Sequence, residues 1–526
     1  MIPRTMMTQH PDAASKYIPI QKEPKEAIDA LSDQPKGLGL DEVMIDFEGK
    51  MTPYQQTAQV VLGLLEKGIK VGDKVMVTPR IPSGREEGVF RQLMALMSIV
   101  ESNYKALKEN QSPAIKEIVL PMTLKGDELV SLQKRIIDVI ELAHKEFGMN
   151  PDPVQIRPIP LVESLPAVLL LRQMLSEYRS GLKRMGLELE KMRIMLGRSD
   201  LALTYGLGAA VLSIIIALSD LEDLSKEGIN VAPILGGGTL PFRGHLSLEN
   251  ASNFLKQYKS VETYTVQSAM RYDHGRSKTI KLASLLKKKS ASKQLKISDS
   301  QRRILINCLG IFAKNYLSTI SSEIPTIVKI TDLIPEQRDR LARKSEVGYA
   351  RQLPQAKTLA EMIDDKNISK ELEKIKWKKA DLPRAISFTA ALYTVGIPPE
   401  LIGIGRSLRE IKESQGEAGV ELLNTFYPSL KADIDFVIPF TNLEIGASFF
   451  KSSFMKKVRE DKECLSDFFN LNFKRDNSLY MTVMETLKPM LKQLVEGNIV
   501  IGEEELENEL VRELILKLAS LRKALG

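Results

Sequence analysis

Cysteine, histidine and tryptophan are scarce in this 526-residue sequence, which has two cysteines, four histidines and one tryptophan. Neither Cys308 nor Cys464 has a CxxC partner or another metal-ligand pattern beside it, which argues against a disulfide framework and a thiolate zinc site. The start of the chain lacks the apolar run of a signal peptide, and the most apolar stretch, residues 209–218, is too short to span a bilayer. We therefore expect a cytoplasmic location and no membrane partner.

Charge of neither sign dominates the chain. The formal net charge is +7, with 27% charged and 43% hydrophobic residues, which is the balance of an ordinary globular protein. Lysines cluster in residues 286–296, and a basic, non-enzymatic scaffold that binds nucleic acid is one alternative. No nucleic-acid module pattern accompanies this cluster, so no nucleic-acid partner is expected.

Short β-branched runs alternate with longer stretches of helical period through the first two thirds of the chain. Alternation of this kind predicts right-handed β/α crossovers, and eight units can close into a TIM-type (β/α)8 barrel of the α/β class. The eight candidate strands are residues 43–47, 74–80, 117–123, 155–163, 193–200, 231–236, 263–267 and 347–351.

The remaining chain is predicted to be mainly helical. Residues 275–345 are too long for one crossover and are interpreted as an insertion within a catalytic barrel of residues 1–354. Helical patterns at 356–363, 384–395, 399–412 and 503–525 predict that residues 355–526 form an α-helical region packed on the barrel.

Charged side chains stand at the predicted carboxyl ends of the strands, where barrel enzymes keep their active sites. Glu163 and Asp200 follow successive strands, and two hard carboxylates without a histidine cluster suit Mg²⁺ or Mn²⁺ better than zinc. Structural salt bridges to neighbouring arginines are the alternative interpretation of these two residues.

Arginines near the same strand ends indicate a small substrate with several negative charges, because the planar guanidinium fork suits carboxylate and phosphate oxygens. The candidates are Arg80, Arg243, Arg271, Arg351 and Arg384. The glycine-rich loop after the sixth candidate strand includes Gly237 and Gly238, and its exposed amides are predicted to approach phosphate oxygens. His10, on a polar loop, is a candidate for proton transfer.

Taken together, these motifs resemble phosphoenolpyruvate carboxylases, and the length and opening residues resemble the short, archaeal-type branch of that family. The resemblance rests on the order of five segments: PRTMMTQHPD at 3–12, DFEGKMTPY at 46–54, MLGRSD at 195–200, MRYDHG at 270–275, and LPRAI at 382–386 with GIPPEL at 396–401. It implies a barrel enzyme with a divalent cation that assembles as a homotetramer.

The resemblance also implies roles for individual residues. It makes His10 and Arg243 catalytic, Glu163 and Asp200 the metal ligands, and Arg271 a substrate arginine, whereas Arg80, Arg351 and Arg384 correspond less closely to other substrate arginines. The sequence departs from the long form of the family at Leu203, where that form has a lysine. The histidine and first arginine of the long form's glycine loop also have no counterpart.

The implied reaction is the addition of bicarbonate carbon to phosphoenolpyruvate. Bicarbonate would attack phosphorus to give carboxyphosphate and an enolate held by the metal, His10 would take the carboxyphosphate proton, and the enolate would capture carbon dioxide to form oxaloacetate. Another magnesium-dependent barrel enzyme acting on enolates, such as an aldolase or malyl-type lyase, is the rival interpretation. A lyase for unphosphorylated acids needs only one or two arginines, so the five candidates favour the carboxylase.

Overall fold

The protein is described from a computed structural model. The structure describes residues 2–110, 112–148, 156–188, 191–289, 291–341, 353–377, 382–473, 477–497 and 504–526. Within these residues, eight parallel strands form one sheet in the order β3-β2-β1-β8-β7-β6-β5-β4. The strands are β1 (Thr5–Thr8), β2 (Glu42–Met44), β3 (Met76–Val77), β4 (Glu117–Leu120), β5 (Arg157–Val162), β6 (Lys191–Gly197), β7 (Asn230–Gly236) and β8 (Thr263–Gln267).

The sheet closes into a barrel just beyond β3. A parallel bridge joins Arg80 to Val119 of β4, and Ile81 N donates to Val119 O at 3.0 Å. The TIM-type barrel predicted from the alternating pattern is therefore confirmed, and the carboxyl ends of all eight described strands meet at one mouth.

Helices surround this barrel and make up most of the later chain. They are α1 (Glu23–Leu31), α2 (Gln56–Leu65), α3 (Val89–Asn110), α4 (Gly126–Phe147), α5 (Leu165–Leu169), α6 (Leu171–Arg184), α7 (Arg198–Tyr205), α8 (Leu207–Lys226), α9 (Ala251–Gln257), α10 (Arg276–Lys288), α11 (Asp299–Ile320), α12 (Ile324–Thr331), α13 (Ala356–Ala360), α14 (Lys366–Glu373), α15 (Ala385–Thr394), α16 (Ile404–Phe426), α17 (Leu430–Val437), α18 (Leu443–Gly446), α19 (Ser452–Phe469), α20 (Ser478–Glu496) and α21 (Glu504–Leu521).

Seven of the eight candidate strands correspond to β2–β8. The remaining barrel strand is β1, which the sequence pattern missed because Thr5–Thr8 is only four residues long and contains two methionines instead of a β-branched run. The eighth candidate, residues 347–351, lies outside the described residues. Since β8 ends at Gln267, helices α10, α11 and α12 follow the last described strand and do not interrupt the described sheet. The boundary at residue 354 stays a prediction.

Two prolines in β5 do not interrupt the sheet. Arg157 N donates to Lys116 O of the chain leading into β4, and β5 pairs with β6 only from Leu161 onward. Successive backbone amides in a strand point to opposite neighbouring strands, so the amide hydrogens that Pro158 and Pro160 lack would point toward β6. Pairing with β6 begins only after these two prolines, so their missing amides do not interrupt it.

Alternate strands contribute a layer of polar residues at the floor of the barrel. Arg193 near the start of β6 donates to Glu42 at 2.6 and 2.9 Å, to Glu117 at 2.9 Å and to the Thr263 hydroxyl at 3.1 Å. Above this layer, seven buried side chains pack inside the barrel: Met6, Met44, Val119, Ile159, Leu161, Met195 and Ile234. The interior is a filled core, and only the mouth remains for chemistry.

Among the described residues, no single helix is both long and apolar enough to cross a membrane. Two bent helix pairs reach that length and composition when each pair is taken together: α11 with α12, and α15 with the chain from Pro399 to Phe426.

We predict that Arg193→Ala strongly destabilises the barrel. The substitution leaves Glu42, which is fully buried, without its cation, and removing one partner of a buried pair costs about 3–5 kcal/mol in the free energy of unfolding. Urea titration followed by circular dichroism measures this loss. Arg172→Ala, which removes an exposed pair with Glu227, is the matched control and should cost no more than about 1 kcal/mol. Equal losses in both variants would contradict the structural role of Arg193.

Candidate active site

Four arginines surround His10 at the mouth of the barrel. His10 follows β1 by two residues and is buried apart from part of its ring. Burial, together with the guanidinium charges of Arg80, Arg340, Arg384 and Arg243, lowers the pKa of His10 well below its usual value. The structure thus brings together three of the five predicted arginines and adds Arg340.

Asp12 holds two of these arginines in place. Its Oδ2 accepts from Arg340 Nη2 at 2.7 Å and from Arg384 Nη2 at 2.9 Å, while its Oδ1 accepts from the amide of Gln337 at 3.0 Å. Burial alone would raise the pKa of Asp12, but the two guanidinium groups outweigh burial and hold it well below its usual range. Asp12 is therefore an anion that keeps two cations close together beside His10.

Arg340 also contacts the backbone of the histidine loop, because its Nη2 donates to the carbonyl of His10. Burial and the neighbouring Arg384 lower the pKa of Arg340 to about 10. Arg340 stays charged at neutral pH, and a substrate anion beside it would raise this pKa again, since opposite charge favours the charged form.

Arg80 lies between two carboxylates. Its Nε and Nη2 each contact Asp46 at 2.7 Å, and its Nη1 contacts Glu48 at 2.5 Å. Its backbone is fixed by the sheet, since Arg80 N donates to Ile45 O and Arg80 O accepts from Phe47 N. The guanidinium of Arg80 is thus held by protein carboxylates, and its role in substrate binding stays a prediction.

The glycine-rich loop after β7 contacts Arg243 and Thr265. Gly237 N donates to the Thr265 hydroxyl at 3.0 Å and Gly238 N donates to Arg243 O at 2.7 Å. Protein oxygens accept from both amides, and the predicted contact of these amides with a phosphate stays a prediction. A Cβ on Gly238 would lie 3.1 Å from Arg243 Cβ and 3.3 Å from its Cζ, so glycine makes room for the arginine side chain.

The buried side chain of Arg243 is positioned from two sides. Its Nη1 donates to the carbonyl of Gly526, in a chain segment that packs against α15. Beneath the loop, Phe242 N and the hydroxyl of Tyr393 donate to Glu400 Oε1 at 2.8 and 2.9 Å. The loop, the carbonyl and the buried carboxyl together fix where Arg243 can point.

Glu163 and Asp200 lie at adjacent strand ends. Glu163 directly follows β5 and accepts from Met122 N at 3.2 Å, while Asp200 lies in the first turn of α7, three residues beyond β6. A Cβ on Gly197, at the end of β6, would approach Glu163 Cβ at 2.8 Å, so glycine leaves space for the glutamate between the strand ends. No group of three or more histidine, cysteine or acidic residues suited to a metal occurs among the described residues.

One predicted arginine, Arg271, lies apart from the cluster. Arg271 Nη1 donates to Asp29 at 2.8 Å and to Glu26 O at 3.3 Å, so its guanidinium lies against α1. Its Nη2 contacts the sulfur of Met7, a side chain that packs with the outer core and not inside the barrel. We therefore leave Arg271 out of the proposed substrate site. Arg351 lies outside the described residues.

Sequence reasoning missed Arg340 and the role of Asp12. Asp12 lies in the opening segment, two residues after His10, and this short distance along the chain could have indicated that it belongs to the same site. Arg340 gave none, because it lies in residues interpreted as an insertion and approaches His10 only through folding. Leu203 is fully buried and its carbonyl accepts from Tyr316 at 2.8 Å, so this position faces the helical core.

Fold and site together define a barrel enzyme whose mouth gathers four arginines around a largely buried histidine. A family model described as phosphoenolpyruvate carboxylase matches residues 2–526, and the chain belongs to that family. Relatives bearing this name include those of Methanopyrus kandleri, 39% identical over 100% of this chain and 98% of that one, and Methanosarcina barkeri, 41% identical over 100% and 99%. The relative from Pyrobaculum islandicum is 31% identical over 92% of this chain and 96% of that one.

Among solved structures, a malate synthase from Haloferax volcanii in complex with magnesium and glyoxylate is similar at 11% identity. The match covers 80% of this chain and 97% of that one with a TM-score of 0.39, which is too distant to bear on function.

We predict that Glu400→Gln removes a pH dependence of stability. Burial raises the pKa of Glu400 to about 7, whereas a glutamate in the unfolded chain releases its proton near about 4.3. The folded state therefore binds more protons between these values, and the free energy of unfolding falls as pH rises through this window, by on the order of 3 kcal/mol.

Urea midpoints at pH 5 and pH 8 measure the effect, and the fall should be smaller in Glu400→Gln than in the unmodified protein. Glu417→Gln, on an exposed part of α16, should leave the fall unchanged. An unaltered fall in Glu400→Gln would show that other groups produce it.

Proposed function

We propose that this protein carboxylates phosphoenolpyruvate with bicarbonate, forming oxaloacetate and phosphate as an anaplerotic carbon-fixing enzyme. Membership of the family supports the reaction. The observation that carries the proposal is the convergence of Arg243, Arg340 and Arg384 with Arg80 around His10. Phosphoenolpyruvate bears a phosphate and a carboxylate, and guanidinium groups gathered at one mouth match that charge.

The number of arginines also weighs against an aldolase or malyl-type lyase. Such an enzyme binds an unphosphorylated acid and needs fewer cationic groups than this mouth gathers. Arg340 and Arg384 share one carboxylate, Asp12. These two arginines and the aspartate together keep a net positive charge, which suits a phosphate. We assign phosphate binding to Arg340 and Arg384, and place Arg243 over the bicarbonate side of the pocket beside His10.

Glu163 and Asp200 fit a divalent cation, Mg²⁺ or Mn²⁺. Two carboxylates at adjacent strand ends, with Gly197 leaving room for one of them, provide the oxygen donors and the open coordination positions that these ions prefer. When bound there, the cation would supply Lewis-acid stabilisation of negative charge on the enol oxygen. Around it, the arginines orient the phosphate and carboxylate.

Assembly as a homotetramer and a cytoplasmic location stay predictions from the family resemblance. The same holds for the expectation that the protein binds neither nucleic acid nor membrane.

We predict bicarbonate-dependent oxaloacetate formation by the purified protein. Coupling to malate dehydrogenase converts oxaloacetate into NADH loss, and omission of phosphoenolpyruvate, bicarbonate or Mg²⁺ in turn should abolish the signal. Depleting bicarbonate is the decisive arm, because a lyase or a phosphatase needs none. NADH loss that persists at the same rate without bicarbonate would remove the carboxylase assignment.

We predict that Asp200→Asn raises the Mg²⁺ concentration needed for half-maximal rate by at least about tenfold, since partners of metal ligands alone contribute about 10–100-fold. Calorimetric titration of Mn²⁺ without substrate measures the same loss independently of turnover. Asp223→Asn, which removes a surface pair with Lys226 on α8, should change neither quantity. Unaltered Mn²⁺ binding by Asp200→Asn would place the cation elsewhere.

A further inference from the structure

Asp12 lies where an anionic ligand would contact two arginines. Its Oδ2 accepts from Arg340 Nη2 at 2.7 Å and from Arg384 Nη2 at 2.9 Å. A single oxygen that accepts from two guanidinium groups is also an arrangement in which proteins bind phosphate. The carboxylate of Asp12 is therefore an anion of the chain itself, placed between the two arginines that the proposed function assigns to the substrate phosphate.

The carboxylate of Asp12 is held in this place. Its Oδ1 accepts from the amide of Gln337 at 3.0 Å, and only 2% of the side chain is exposed. The residue before it is also attached, because the Pro11 carbonyl accepts from Arg338 Nε at 2.9 Å. An anion that enters from the barrel mouth would therefore have to bind beside Asp12 and would not replace it.

Both arginines offer further donors to such an anion. A guanidinium has five N–H groups, and the contacts with Asp12 involve one nitrogen, Nη2, of each arginine. Arg340 Nε is buried and, within the described part of the chain, has no hydrogen-bond partner, which leaves a donor whose desolvation is uncompensated. The Arg384 side chain is 14% exposed, so this cation is accessible to a ligand.

The charge of Asp12 opposes a second anion at the same arginines. Burial raises the pKa of Asp12, but the two guanidinium groups outweigh burial and hold this pKa well below its usual range, so the carboxylate is ionised at neutral pH. A phosphate bound there is attracted by two cations and repelled by one fixed anion, and charges a few ångströms apart interact strongly where water is scarce. Asp12 thus keeps the two arginines together and also weakens their hold on phosphate.

We propose that Asp12 is a positioning residue that sets how tightly the mouth retains phosphate: its carboxylate holds Arg340 and Arg384 together for the substrate phosphate, and its charge lets the product phosphate leave. The inference rests on the proposed function and deepens it. Phosphate enters as an ester of the substrate and leaves as inorganic phosphate, so arginines alone would hold the product about as well as the substrate. A fixed anion beside them weakens the binding of both, and the substrate keeps the further contacts of its carboxylate.

Asp12→Asn separates the charge of this side chain from its shape. Asparagine keeps an oxygen that can accept from both arginines, but it is neutral. We expect inorganic phosphate to bind at least about fivefold more tightly to Asp12→Asn than to the unmodified protein, because a repelling unit charge a few ångströms away is removed. Calorimetric titration with phosphate, without substrate, measures this gain. Unchanged or weaker phosphate binding by the folded variant would overturn the proposal.

Three controls locate the gain and its cause. Asp12→Glu keeps the charge and should bind phosphate within about twofold of the unmodified protein; a gain equal to that of Asp12→Asn would exclude charge as the cause. Asp33→Asn, which removes an exposed ion pair with Lys74, should change nothing. Adding Arg384→Gln to Asp12→Asn should abolish the gain, and a gain that survives would place the phosphate elsewhere and contradict the proposal.

Turnover separates this role from a merely structural one. In the coupled assay, the inhibition constant of added phosphate should fall in Asp12→Asn and the KM for phosphoenolpyruvate should not rise. In a single turnover followed with a fluorescent phosphate sensor, phosphate should leave the variant more slowly. A residue that only keeps the mouth in shape would raise both KM and the inhibition constant, and that result, or an unchanged release rate, would refute the assigned role.

Thermal unfolding shows whether the variant folds and reads the same linkage. Asp12→Asn leaves two neighbouring cations without their anion, so it should unfold at a lower temperature than the unmodified protein and gain more from added phosphate. If it does not fold even with phosphate, Asp12→Ser takes its place in the titration. Its shorter side chain leaves room for a phosphate oxygen, and the same gain is expected; its absence would again contradict the proposal.

The unmodified protein tests the proposed function separately. If it forms no oxaloacetate from phosphoenolpyruvate and bicarbonate, the function fails whatever the phosphate titrations show. If it forms oxaloacetate and the neutral variants bind phosphate no more tightly, only the role of Asp12 fails.

Discussion

Several positive charges share one buried mouth, and the carboxylates that separate them are the constraint on which the site depends. Asp12 holds Arg340 and Arg384, and Asp46 with Glu48 encloses Arg80. Without these anions, guanidinium groups at such spacing would repel one another and draw in water, since like charges interact strongly at low dielectric. The anions do not cancel the cations fully, and the excess charge is what a phosphate and a carboxylate can use.

The same pairing divides the arginines by role. Arg80 is held by two carboxylates and by the sheet, and its Nη2 lies 3.2 Å from His10 Nδ1. Arg340 and Arg384 share one carboxylate, Asp12, and Arg243 donates to the backbone oxygen of Gly526. Sequence position alone makes the four equivalent, and the partners that each one meets in the folded chain separate them.

The site also depends on structure that lies behind it. A second buried network, in which Arg338 contacts Glu23 and Glu26 while Lys50 contacts Glu23, joins α1 to the segment that precedes Arg340. Arg338 Nε also donates to Pro11 O at 2.9 Å, one residue from His10. Arg338 and Arg340 thus attach the same distant segment to the histidine loop at His10, Pro11 and Asp12, and the barrel mouth is built from residues more than 300 positions apart.

The sequence by itself determined the barrel and much of the chemistry, because hydrophobic period and strand-end placement are local properties. Seven strands, the acidic pair Glu163 and Asp200 at adjacent strand ends, and three of the arginines near His10 follow from that local pattern. It could not show β1, which is too short to have a pattern, nor the internal use of the Gly237 and Gly238 amides. Tertiary structure alone decided that Arg271 lies against α1, that Arg340 contacts the His10 backbone, and that Arg80 forms ion pairs with Asp46 and Glu48. The physical reason is that the partner of a charged side chain is chosen by distance in the folded chain, and no periodicity along the sequence encodes that distance.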